Sequence, residues 1–182
     1  MAFRTWLVTL VTLAAPPVLA TTARPVTVEE LARTATAIAI VTPLDAEARW
    51  EGRRIITHHR MRVDESWAGE LTASTELDVL TLGGRVGDLG QHVAGEVQFV
   101  PGAPTLVFLV PDRALAGFRV VAMEQGALRL TPSSPMDLTP TVVLPGTRGN
   151  EVTASATGDP RGGVTVLLSA LRERVARARS TP

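Results

Sequence analysis

The run Ile38–Val63, IAIVTPLDAEARWEGRRIITHHRMRV, alternates apolar and polar residues with period two on both sides of a glycine. That period marks half-buried strands. Leu44, Ala46, Ala48 and Trp50 fall on one face, with Asp45, Glu47 and Arg49 on the other. After Glu51-Gly52 the pattern resumes: Ile55, Thr57, His59, Met61 and Val63 on one face, Arg54, Ile56, His58, Arg60 and Arg62 on the other. A turn at Glu51-Gly52 would pair Ala48 with Ile55, Ala46 with Thr57 and Asp45 with His58, matching the faces. It would also set Arg49 against Arg54, a like-charge cost. Pro43 interrupts the first strand and points to a bend or an edge.

Outward from this hairpin, Val26–Thr36 reads as a short helix. Thr27 and Glu30 form a T-x-x-E capping box, with Val26 and Leu31 as its hydrophobic staple. Trp67-Ala68-Gly69 ends the second strand, and Glu76–Leu82 is a third. Gly83–Gly95 reads as a glycine-rich loop. Pro104–Val110, PTLVFLV, is an unbroken apolar run, as a strand buried on both faces requires. Gly117–Met123 and Ala127–Leu130 are expected to pair around Gln125-Gly126. The Pro/Ser/Thr/Gly-rich stretch 132–163 reads as a long mobile loop with a brief strand at Thr141–Leu144. Val164, Leu167, Leu168, Leu171, Val175 and Ala178 then recur at helical spacing, with arginines crowding the end to complement the helix dipole.

The expected architecture is mainly β: a small five-stranded antiparallel barrel of the OB type, flanked by an N-terminal helix and a C-terminal amphipathic helix. Its parts are a leader (1–20), the barrel with its first helix (24–131), the loop (132–163) and the last helix (164–179). Leu44, Ala48, Ile55, Met61, Val63, Leu77, Phe108, Val120 and Leu128 are the expected core.

The leader carries the address. Arg4 precedes the apolar run Trp6–Ala15, and Val18-x-Ala20 supplies the small residues of a cleavage site. The run is shorter than the roughly 20 residues of a membrane span. The expectation is a secreted or periplasmic protein. The 182-residue chain has no cysteine, so neither disulfides nor a thioether-linked lipid is available. Its 18 basic residues, all arginine, balance 18 acidic ones. A net charge of zero argues against nucleic acid as a partner. So does an aromatic content of 4%, too low for a stacking platform.

No catalytic, cofactor or metal site is expected. Gly84-x-x-Gly87-x-x-Gly90 lacks both dinucleotide-loop and phosphate-loop spacing. His58 and His59 are neighbours on a strand and point to opposite faces, so they do not converge on one metal. No GxSxG elbow occurs. What remains is a basic strand face, Arg54, His58, Arg60 and Arg62, as the candidate partner surface.

The ordered runs EELARTATAIAIVTPLDAEARWEGRRIITHHRMRVDESWAG, GGRVGDLGQHVAG, FVPG, VFLV and GFRVVAMEQGALRL resemble a group of secreted bacterial proteins of myxobacterial type. Ala103 stands where that group carries an acid after the turn glycine. A helix followed by five strands is similar, more distantly, to the OB-fold barrel of netrin-like and metalloproteinase-inhibitor modules. The inhibitors act through an N-terminal cysteine that this chain lacks, so the resemblance implies a protein-binding barrel and no inhibitory chemistry. The expected function is a non-enzymatic exported binding module whose partner is an exported protein such as a protease, or an anionic envelope polymer. The alternatives are a secreted hydrolase and a structural envelope protein.

Overall fold

Residues 25–134, 137–144 and 164–180 are described by the structure, a computed structural model of the chain. It is mainly β, with two helices. Helix α1 (Val28–Thr34) opens it, and its start follows from local chemistry. The Thr27 side chain accepts from the Glu30 amide while the Glu30 carboxylate accepts from the Thr27 amide. Ten strands follow: β1 (Ala37–Glu51), β2 (Arg54–Ala68), β3 (Glu76–Leu82), β4 (Gly84–Val86), β5 (Leu89–Gln91), β6 (Thr105–Asp112), β7 (Gly117–Val120), β8 (Ala127–Ser134), β9 (Asp137–Leu144) and β10 (Val164–Leu167). Helix α2 (Leu168–Ser180) closes the described chain.

The strand order is β1-β2-β3-β7-β6-β8-β9-β10, and β6 also pairs with β1. The pairings β1–β2–β3–β7–β6 therefore return to β1. Every pairing is antiparallel except β3–β7, which is parallel. This departs from the purely antiparallel expectation, and among the described residues five further strands, β4, β5, β8, β9 and β10, accompany the five of this ring.

Two apolar layers follow from strand alternation. Ala37, Ala39, Val41, Met61, Val63, Val79, Val107 and Leu109 cluster on one face of the sheet. Ile38, Ile40, Leu106, Phe108 and Leu128 point the other way, against Leu31, Leu171 and Val175 of the two helices. The unbroken apolar run of β6 is thereby explained: successive residues feed different layers.

The hairpin forms, with a corrected register. Glu51 pairs with Arg54 and Arg49 with Ile56, so the turn is Gly52-Arg53. Gly52 has φ +63° at the first turn position, where a glycine is favoured in hairpins. The shift by two keeps the faces and removes the clash of Arg49 with Arg54. Of the expected core, Ile55, Met61, Val63, Phe108 and Leu128 are buried. Ala48, Leu77 and Val120 are half-buried, and Leu44 is exposed. Pro43 pairs with Met61 and Asp45 with Arg60, leaving Leu44 as the extra residue of a bulge. The bulge flips the parity of β1, so odd residues face inward before it and even residues after it.

Three further expectations change. Residues within 83–95 form the β4–β5 hairpin rather than an open loop. Gly84, at φ +132°, lies so close to β1 and β2 that a Cβ would come within 2.4 Å of Thr57 Oγ1 and 2.8 Å of Ala48 Cβ. β7 and β8 do not pair with each other. Both add to one edge of β6, separated by a side-step at Ala122 and Met123, which have positive φ, and a 3₁₀ turn at Met123–Gly126. Finally, β9 begins at Asp137, earlier than the brief strand expected, and pairs with β8 and β10. Val164–Leu167, expected as helix, is strand β10, because its register against Thr141–Leu144 satisfies its backbone. The leader 1–20 and residues 145–163 of the expected loop lie outside the described residues.

Candidate functional site

The residues anticipated as a basic face, Arg54, His58, Arg60 and Arg62, lie on the outer face of β2, with acids standing among them. Arg54 is exposed at the turn. His58 is buried, with only 8% of its surface exposed, because it lies between two carboxylates. Its Nδ1 stands 3.4 Å from Asp78 Oδ2, and its Nε2 stands 3.6 Å from Glu51 Oε1 without a hydrogen-bond partner. Arg60 pairs with Asp45 and approaches Glu76 at 3.7 Å. Arg62 pairs with Asp64 at 2.9 Å. These acids arrive from β1, β3 and β2 itself, and they turn the outer strand face into a mixed-charge lattice. Exposed pairs of this kind are worth about 0–1 kcal/mol each.

His59 points to the inner side. Its Nε2 meets Thr81 Oγ1 at 2.9 Å, and its ring stacks edge-on against Phe99 with centroids 5.0 Å apart. Desolvation by burial, aided by the nearby His58, lowers its pKa from 6.5 to about 4, with Asp78 opposing. It is a neutral, hydrogen-bonded core residue at pH 7, as its place on the apolar face anticipates. Among the described residues, no group of three or more His, Asp or Glu side chains is disposed to hold a metal. Nor is any helix there long and apolar enough to cross a membrane.

The concave feature of interest lies beside the anticipated patch. A cleft of about 460 Å³ runs between the β1–β2 turn and the β6–β7 turn, over the outer face of β2 and β3. Its volume falls in the range of small-ligand sites, roughly 300–1,000 Å³. Ile56 pairs with Leu82 across β2–β3, and Leu80 pairs with Arg119 across β3–β7. Ile56, Leu80 and Leu82 therefore share one face and make an apolar floor. Leu115 of the β6–β7 turn walls it. That turn is braced by Asp112, whose Oδ1 accepts from the amides of Ala114 at 2.9 Å and Leu115 at 3.2 Å. Gly117 seats it closely: a Cβ there would sit 3.0 Å from Leu80 Cγ.

The rim is charged, with Glu51, Arg53 and Arg54 on one side and Asp112 and Arg119 on the other. Of the four residues singled out from sequence, only Arg54 belongs to it. Arg53, Arg119 and the floor were missed. One sign was present: Ile56 is the lone apolar residue on an otherwise charged strand face.

The arginines of α2 also have specific work. Arg174 makes a two-pronged bond to Glu29 of α1, at 2.8 and 3.2 Å. Arg179 Nη1 donates to the carbonyls of Ala32 and Ala35, which end α1, at 3.0 and 2.9 Å. Arg172 pairs with Glu65 and lies 5.8 Å from the Trp67 ring. These side chains are clamps across the helix layer, more than ornaments of the helix dipole. Comparison with family models, curated proteins and solved structures finds no match to the chain.

Proposed function

We propose that the protein is an exported, non-enzymatic binding module built on a closed five-stranded barrel of the OB type, and that its ligand or partner occupies the cleft over β2 and β3. The fold reading draws on the ring of pairings β1–β2–β3–β7–β6–β1 with its one parallel step. Barrels of that type bind on the face of their second and third strands, between the first hairpin turn and the turn joining the last two strands. One observation carries the function: the apolar-floored cleft occupies that position, framed by Gly52-Arg53 and by the turn after Asp112. The address draws on Arg4, the apolar run Trp6–Ala15 and Val18-x-Ala20. An exported protein, a protease among the options, and an anionic envelope polymer are the partners proposed.

Affinity capture from the exported fraction of the native host tests this reading. Wild type and Leu115→Asp serve as baits, after matching thermal melts establish that both are folded. A component retained by wild type and lost with Leu115→Asp is expected. Equal retention by both baits would move the binding surface elsewhere, and turnover of an ester, peptide or glycoside substrate by the purified chain would replace binding with catalysis.

A further inference from the structure

The charges around the cleft are unequal in a way that names its ligand. Both acids on the rim are already engaged. Glu51 Oε1 accepts from Arg49 Nε at 2.8 Å, and Asp112 holds the amides of its own turn. The three rim arginines are exposed, and among the described residues none has a carboxylate within ion-pair distance. This contrasts with Arg60, Arg62, Arg172 and Arg174, each of which has an acidic partner. Guanidinium groups offer forked donors to carboxylate, sulfonate or phosphate. Between them lies a floor whose core residues, Ile56 and Leu80, are only 6% and 4% exposed.

We infer that the cleft takes a small amphipathic anion: an apolar chain or ring laid on Ile56, Leu80 and Leu82, with an acidic head held by Arg53, Arg54 and Arg119. This rests on the cleft being the binding site and adds the chemical class of what enters it. The apolar body supplies area for burial, and the head supplies orientation. Arg53 and Arg54 come from one turn and Arg119 from β7 on the far side, so both sides of the floor offer a guanidinium to an acidic head.

Dodecanoate is the probe, titrated by calorimetry into the full exported chain, with dodecyltrimethylammonium as the matched cation. Dodecanoate should bind at one site, weaken as salt is raised, and outcompete the cation. Arg54→Gln/Arg119→Gln should lose about tenfold or more in affinity, the order of one or two charge-assisted hydrogen bonds. Its melting temperature should stay that of wild type, since neither side chain holds an ion pair among the described residues. No binding of dodecanoate, equal binding of the cation, or full dodecanoate affinity in the double variant would each overturn the inference. Failure with dodecanoate alongside a protein that wild type captures and Leu115→Asp loses would reject the ligand class and leave the cleft as the binding surface.

Discussion

His59 and Phe108 show what single side chains contribute. His59 is buried in its neutral form, so its pKa of about 4 lies below the 6.5 of an unfolded histidine. The unfolded chain therefore binds the extra proton first as pH falls. The stability this residue contributes is full above about pH 6.5 and is lost between there and pH 4, by at most about 3 kcal/mol. Carboxylates titrate in the same window, so the comparison is with His59→Gln. Urea melts from pH 7.5 to 4.5 should slope more steeply for wild type than for the variant. Parallel slopes would mean that His59 is already solvated. Phe108 is wholly buried between β6 and the helix layer. Phe108→Ala should cost about 3–5 kcal/mol in a denaturant melt. A loss under about 1 kcal/mol would show a helix layer loose enough to close the cavity.

At the scale of elements, α1 is too short to be stable alone, and packing holds it. Arg179 caps its last carbonyls from α2, a role that sequence spacing does not reveal because the partners lie 144 and 147 residues away. Arg179→Met should cost about 1–3 kcal/mol, since it strands two carbonyls that are shielded from water. Arg33→Met, at an exposed position of α1, should change stability by about 0.5 kcal/mol or less. Equal effects in urea melts would remove the clamp from the account. The same distinction explains what could be read in advance. The β1–β2 hairpin, the capping box and β3 were legible because their signals are local: period two, a T-x-x-E spacing and a glycine at the turn. The burial of Leu44 was misjudged because a one-residue bulge reverses parity while leaving the alternation on either side of it intact. On the basic strand face, Glu51, Asp78 and Glu76 arrive from other strands, and spacing within β2 gives no sign of them. The cleft was hidden because its walls are two turns some sixty residues apart in sequence. The parallel β3–β7 pairing that joins them has no local signature.

On the scale of the whole molecule, the ring of strands and the helix layer form one support with a hollow on the side away from the helices. α1 and α2 cover the outer face of β1, β6 and β8, while the cleft opens over β2, β3 and β7. Mass spectrometry of the exported protein should find its N-terminus at Thr21 or within a few residues of it, as the small residues Val18 and Ala20 direct. A chain still beginning at Met1 would contradict export through a cleaved leader. The claim that binding happens at the cleft is tested most directly by a photo-crosslinking amino acid placed at one position at a time in the full chain. Position 115 lies in the cleft wall and position 33 on the exposed surface of α1. Irradiation in the native exported fraction should give a discrete adduct from position 115 and none from position 33. An adduct from position 33 with none from position 115 would contradict the account.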